Sequence, residues 1–229
     1  MGEEGRVRVR GRDRLGIFLA LVAATACVRL GFWQLSRLHQ RIARNAAARV
    51  AWALPPIEVL ANTSLDSALN RRVHVHGVYD FDHEQLWRPR ALDDALGVDL
   101  VTPVRLAGGA GVLVDRGWVP SADAYHVDQR AYRERDSVDL VGLALAAPRS
   151  RGDVDPARLK HAMPFALLPF VVQQLPDTAP STLGRTPRRI PLPELTNGPH
   201  LSYAIQWFSF ATIILVGSVF LFRRAGRTA

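Results

Sequence analysis

The stretch N-G-P-H-L-S-Y-A-I-Q-W-F-S-F-A-T-I-I-L-V-G-S-V-F-L-F-R-R, residues 197–224, decides how the chain is read. No charged residue falls between Leu201 and Phe222. That is about 22 residues, or roughly 33 Å of helix, enough to cross a bilayer core of about 30 Å. Arg223 and Arg224 stop the run. Gly198 and Pro199 break whatever precedes it, and proline suits the opening of a helix. On a 3.6-residue period His200, Tyr203, Ala204, Trp207, Phe208 and Ala211 share a face. An imidazole can ligate haem iron, and flat aromatics beside small residues suit a flat macrocycle. The plainer reading is a solvated histidine above an interfacial aromatic belt, and belts are the commoner pattern.

Working outward, the other end of the chain mirrors this one. Leu15 to Val28 is uncharged, and after Arg29 the apolar character resumes to Leu35. A span from Leu15 to Leu35 then has Arg29 snorkelling to the interface and Trp33 in the belt. Ala24-Thr25-Ala26 resembles a signal-peptide cleavage site, and Cys27 faintly a lipoprotein box. The resumed apolar run favours an uncleaved anchor. Five arginines (Arg6, Arg8, Arg10, Arg12 and Arg14) precede the first span, and Arg223, Arg224 and Arg227 follow or close the second. The positive-inside rule therefore expects both termini in the cytoplasm and the middle outside, periplasmic or its equivalent, in a multi-pass protein of the cell (inner) membrane.

The net charge of +8 is almost wholly arginine, Lys160 being the only lysine. These charges flank apolar spans, which points to lipid headgroups and away from nucleic acid. A single cysteine, Cys27, excludes an internal disulfide and any Cys-x-x-Cys site. Between the spans, Arg37 to Trp52 extends the first helix until Pro55-Pro56. Alternation then begins: Arg72–Tyr79, Glu84–Arg88, Val98–Leu106, Gly111–Val119, Val138–Ala146 and Phe170–Gln174 read as strands. Gly108-Gly109, Pro120-Ser121 and Gly152-Asp153 punctuate them. Ser121–Arg135 and Asp155–Met163 read as short helical insertions, and Thr178–Pro199 as an extended, proline-rich lead.

The expected fold class is thus α+β: two transmembrane helices flanking a small antiparallel β-rich domain. The segments are a basic tail 1–14, span 15–35, outer domain 36–199, span 200–222 and a second tail 223–229.

Three motifs in this order are specific. They are L-G-F-W-Q-L-S-R (Leu30–Arg37), V-L-V-D-R-G-W-V-P (Val112–Pro120) and H-L-S-Y-A-I-Q-W-F (His200–Phe208), supported by G-V-Y-D (Gly77–Asp80) and R-P-R (Arg88–Arg90). Together they resemble the surfeit-locus family of cytochrome c oxidase assembly factors, over nearly the whole chain. The resemblance implies a two-span, non-enzymatic protein that binds haem a transiently and aids its insertion into the catalytic subunit. It implies that His200 is the iron ligand, with Tyr203, Gln206 and Trp207 as motif neighbours. The expected partners are the large oxidase subunit, membrane lipids and, as a further candidate, the machinery that makes haem a. The alternative is a scaffold that stabilises the immature subunit without touching haem. Departures from the family pattern are Asp115 where asparagine is expected, Arg41 where lysine is expected, and Gly198-Pro199 between Asn197 and His200.

Further candidates follow. Arg29 or Arg37, near the same interface, would pair with a haem propionate, or else face lipid phosphates. Arg116, Trp118 and Trp33 are candidate partner contacts, since arginine and tryptophan dominate hot spots; against that, Gly117 permits a bulge and Trp118 suits a core. His74 and His76 share a strand face with His83 nearby, but no carboxylate or thiolate joins them at ligand spacing in the sequence, so no structural metal is expected. Ser121 with His126 and Asp128 lacks the glycine framing of a hydrolase nucleophile, and a hydrolase is rejected.

Overall fold

The computed structural model describes residues 11–147, 154–176 and 185–225. The turn expected at Gly152-Asp153, the start of the proline-rich lead and the outermost parts of both tails lie outside these residues. The chain forms two compact units, Met1–Ala47 with Leu195–Ala229, and Ala48–Glu194.

In the first unit, α1 (Gly11–Ala53) and α4 (His200–Ala225) are the long helices. Both are long and apolar enough to cross a membrane. α1 already begins at Gly11, inside the expected tail. Small residues recur every seven positions where the helices meet: Ala24 and Gly31 on α1, Ala204 and Ala211 on α4 are buried. A seven-residue repeat of contact positions is the pattern of helices packed side by side along one seam. Small side chains let backbones approach closely, as association within lipid requires. A Cβ on Gly31 would lie 2.6 Å from Phe208 Cε1, so glycine there seats the Phe208 ring. That ring also meets Phe32 edge-on, with centroids 5.4 Å apart. Large apolar side chains elsewhere on the pair, such as Phe18, Ile213 and Phe220, are more than 60% exposed, as a lipid-facing surface would be.

The second unit is a β-barrel. Its strands are β1 (Ile57–Glu58), β2 (Arg72–Tyr79), β3 (Gln85–Leu92), β4 (Ala95–Arg105), β5 (Gly111–Pro120), β6 (Ser137–Ala146) and β7 (Leu167–Gln174). The order is β1-β2-β6-β7-β5-β4-β3, and β2 also pairs with β4 through Val78↔Arg105 and Tyr79↔Val104. That pairing closes β2, β6, β7, β5 and β4 into a ring and removes their open edges. The chain is α+β, with two candidate spans flanking a β-rich domain. Most pairings are antiparallel, but β1–β2 and β5–β7 are parallel.

Alternate residues fill the interior: Val73 and Val75 from β2, Val104 from β4, Val112 and Val114 from β5, Leu140 from β6, Phe170 and Val172 from β7. Burying each such side chain contributes roughly 1.5–3 kcal/mol. On the other face of β5, Leu113 packs with Val101, Val154 and Val171, under the short helix α3 (Pro156–Leu159). Burial on both faces explains why β5 reads as continuous V-L-V instead of alternating. A second four-residue helix, α2 (Leu65–Ala68), is capped by Ser64. The helical insertion expected over Ser121–Arg135 is a correction: only a 3₁₀ turn, Gln129–Tyr132, forms there. Ala124 sits at φ +59°, outside the helical region, and Asp123 and Asp128 accept from backbone N–H groups two or three residues on, which favours turns over a helix.

Candidate functional site

His200 is the first residue of α4. The helix opens on Pro199, whose carbonyl accepts from the Tyr203 N–H (3.1 Å) and the Ser202 hydroxyl (2.8 Å). Gly198, at φ +67°, makes the turn into it. The approach is tied to α1: Arg41 Nε donates to the Thr196 carbonyl (3.1 Å), and buried Asn45 donates to the same carbonyl (3.0 Å) and to Asn197 Oδ1 (3.2 Å). The departures at Arg41 and at Gly198-Pro199 thus belong to one clamp that fixes the start of α4.

The imidazole is itself held. His200 Nδ1 lies 2.9 Å from Gln34 Oε1. An amide oxygen only accepts, so Nδ1 carries the proton and Nε2 keeps its lone pair. Nε2 is therefore the nitrogen able to ligate a metal, oriented through the other ring nitrogen in the way metal-bound histidines commonly are. Trp207 continues the His200 flank of α4 and meets Phe210 edge-on at 5.9 Å, while Tyr203 is exposed beside them. The residues fit a planar ligand: a ligating nitrogen, an aromatic flank, and small buried residues behind it. At the far end of the pair, an apolar cleft of about 300 Å³ lies between Ile17, Leu21, Leu215 and Phe222.

Arg29 and Arg37 are both on α1, the helix that carries Gln34. At about 100° per residue, Arg29, Trp33 and Arg37 line the side of α1 away from Gly31, and all three are exposed. The Arg37 guanidinium lies 5.7 Å from the Trp33 ring centroid and donates to Gln40 Oε1 at 3.3 Å. Side chains spaced four apart share one face, so Arg29 and Arg37 are both open to an anionic group such as a propionate or a lipid phosphate. Trp33 is 51% exposed, on that same stripe.

The R-G-W motif has a structural role. Leu100 pairs with Gly117 and Val101 with Asp115, so Arg116 is the extra residue of a β-bulge. Gly117 has φ +116°, and a Cβ there would lie 2.4 Å from the Arg188 carbonyl oxygen, so only glycine fits. The bulge turns Arg116 inward, where it is fully buried. Its Nη1 donates to Glu84 Oε2 (2.7 Å), Nη2 to Glu134 Oε2 (2.8 Å) and to the Tyr132 carbonyl. Arg189 from the proline-rich lead joins Glu134 at 2.6 Å and the Arg116 carbonyl. Burial alone would raise the Glu134 carboxyl, but Arg189 and Arg116 together hold it below its ordinary range. Arg116 and Trp118, the candidate docking residues, are 0% and 9% exposed; the bulge commits both to the domain's interior.

Behind Arg116 lies a buried carboxylate pair. Asp99 takes Arg90 at 2.6 Å on one oxygen, and its other oxygen has no hydrogen-bond partner among the described residues. Asp115 accepts from the Gly117 N–H at 2.9 Å. Burial, and then the Asp99 charge, push the Asp115 carboxyl up to about 7, against the opposing Gly117 N–H and Arg90. Burial also raises Asp99, with Arg90 opposing. Sequence reasoning noticed Asp115 only as a departure from asparagine.

Ser121, His126 and Asp128 do not form a catalytic set. The Ser121 hydroxyl donates to the His126 carbonyl (2.7 Å), the His126 ring meets Asp123 (2.5 Å), and Asp128 caps Arg130. His83 turns to Asp80 (3.0 Å), and no contact with His74 or His76 is formed among the described residues.

The SURF1 family pattern matches residues 21–212. The chain belongs to the SURF1 family. A SURF1-like protein of Monosiga brevicollis is 28% identical, over 92% of this chain and 89% of its own. SURF1-like proteins of Mycobacterium bovis (strain ATCC BAA-935 / AF2122/97) and Mycobacterium tuberculosis (strain ATCC 25618 / H37Rv) are each 27% identical, over 89% of this chain and 81% of theirs. The match takes in Gln34, the R-G-W bulge and His200.

Proposed function

We propose that this SURF1-family chain is a membrane-bound assembly factor for haem–copper cytochrome c oxidase. It receives haem a as cargo on His200 Nε2 and passes it to the large catalytic subunit. The family is generally associated with oxidase assembly. The observation that carries the haem step is the Gln34–His200 contact, which fixes the imidazole and leaves Nε2 as the ligating nitrogen. Trp207 and Tyr203 would flank the macrocycle. A single neutral histidine at a water–lipid boundary is a replaceable ligand, as a carrier needs. In this reading both termini are cytoplasmic and the barrel lies outside the inner membrane, following the arginines that flank the spans. The barrel offers a folded surface to the oxidase subunit, and no catalysis is assigned to the chain.

The test is the visible spectrum of the detergent-purified full chain from cells that make haem a. Wild type is expected to carry a haem a band that His200→Ala loses. A band of equal intensity in the variant would overturn His200 as the ligand. No band in either protein, with oxidase assembly still dependent on the chain, would favour a haem-free scaffold.

A further inference from the structure

The parallel pairing of β1 with β2 brings Glu58 beside His74, and β2–β6 pairing brings Asp139 beside His76. Glu58, His74, His76 and Asp139 therefore form one cluster on the outer face of the barrel. One ligand atom each from Glu58, His74 and His76 falls within 4.8 Å of the other two. The two rings are 4.0 Å apart between centroids.

Each ring lies between the two carboxylates. His74 Nε2 is 2.5 Å from Asp139 Oδ1, and its Nδ1 is 3.2 Å from Glu58 Oε2. His76 Nδ1 is 3.4 Å from Asp139 Oδ1, and its Nε2 is 3.6 Å from Glu58 Oε1. A neutral imidazole has one N–H, so it can donate to only one of two carboxylates. If both rings donate to Asp139, each turns a bare lone pair toward the lone pairs of Glu58. A cation between them removes that repulsion. Two neutral imidazoles and two carboxylates sum to −2, which a single divalent ion balances.

We propose that Glu58, His74 Nδ1 and His76 Nε2 bind a divalent late transition-metal ion of the zinc–copper class, with Asp139 as the outer carboxylate that orients both rings. His74 Nδ1 lies 3.2 Å from Glu58 Oε2 and His76 Nε2 lies 3.6 Å from Glu58 Oε1, each close to the ligand-to-ligand edge of about 3.3 Å for four-coordinate zinc with bonds near 2.0–2.1 Å, so a small turn of the carboxylate presents one oxygen to both nitrogens. The 2.5 Å contact of His74 with Asp139 is hydrogen-bond length, too short to admit an ion, so the metal sits on the Glu58 side. A carboxylate holding the far nitrogens of ligating histidines is the usual outer arrangement of such sites. Two nitrogens and one oxygen select zinc or copper(II) over magnesium or calcium. Three protein ligands leave a fourth position to water. The site is independent of the haem reading, sharing no residue with it.

The experiment is a Zn²⁺ titration of the detergent-purified full chain against a chromophoric chelator, repeated with Cu²⁺ and read by electron paramagnetic resonance. Wild type is expected to bind one Zn²⁺ per chain, and the copper spectrum to show coupling to two nitrogens. His74→Ala and His76→Ala should each weaken binding at least about 10-fold, and Asp139→Asn about 10-fold. His126→Ala, an exposed histidine beside Asp123, should leave it unchanged. Glu58→Gln keeps the strand pairing and should also weaken binding, which guards against a misfolded histidine variant. Wild-type affinity retained in both His74→Ala and His76→Ala would overturn the site. So would Zn²⁺ binding no tighter than that of the His74→Ala/His76→Ala double variant, which would leave protons as the cations between these groups.

Discussion

The helix pair and the barrel use polar groups in opposite ways. In the helix pair, polar contacts gather at one end: Gln34 with His200, and Arg41 and Asn45 with Thr196 and Asn197. The rest of the seam is alanine, glycine and phenylalanine. In the barrel the strongest charges are inside, where Arg116 and Arg189 neutralise Glu84 and Glu134. The difference separates structure from chemistry. Buried, fully partnered charges hold a fold in register. A half-buried histidine with one nitrogen engaged and the other bearing a lone pair is equipped to take a ligand.

The largest way to break this comparison is Arg116→Leu. It leaves Glu84 and Glu134 buried beside an apolar side chain and should cost about 3–5 kcal/mol of domain stability. Urea unfolding of the full chain in detergent, followed by near-ultraviolet dichroism, measures it. A loss under 1 kcal/mol would mean that the network contributes little to holding the barrel.

Asp115→Asn comes next and sharpens the contrast through pH. The Asp115 carboxyl is raised to about 7, so the folded chain binds a proton that the unfolded chain has released. Its stabilising contribution is therefore complete below about pH 4 and lost as pH rises through 7. The upward shift of Asp99 acts in the same direction. Asparagine keeps an oxygen for the Gly117 N–H and carries no charge. The variant should gain on the order of 3 kcal/mol over wild type at pH 9 and little at pH 4. Unfolding at the two pH values checks this, and a parallel offset at both would refute it.

The smallest expected effect is Gln34→Leu. The helix seam should survive, but the imidazole loses its orienting acceptor. Haem a affinity should fall about 10-fold with the band still present, in contrast to its loss in His200→Ala. Titration of apo-protein with haem a measures the ratio, and an unchanged affinity would remove Gln34 from the site.

Much of the barrel was legible in the sequence because alternation marks a half-buried strand. The reading Arg72–Tyr79 coincides with β2, and five other strands lie within a few residues of their expected places. The two-residue β1 has no period to read. Without β1, the parallel register that brings Glu58 to His74 could not be foreseen, so the histidine pair looked solvated. Gln34 was hidden for a similar reason, since it meets His200 across 166 positions of chain. The motif V-L-V-D-R-G-W-V-P announced a bulge at Gly117, but the direction in which a bulge turns its extra residue is not written in spacing. From spacing alone, Arg116 accordingly stays open between a partner contact and a structural role.

The position of β7 sets the order in which this domain can be made. β7 is the last strand among the described residues, yet it lies between β5 and β6, parallel to one and antiparallel to the other. Until residues 167–174 emerge from the ribosome, β5 and β6 each present an unsatisfied edge. The pairing of β2 with β6 and β4 then holds an open sheet with a gap, and its valines remain wet. Closure waits for Phe170 and Val172, the last of the interior side chains to be synthesised. The barrel is thus completed late in chain order, and until then its open strand edges are the part of the fold most exposed to mispairing.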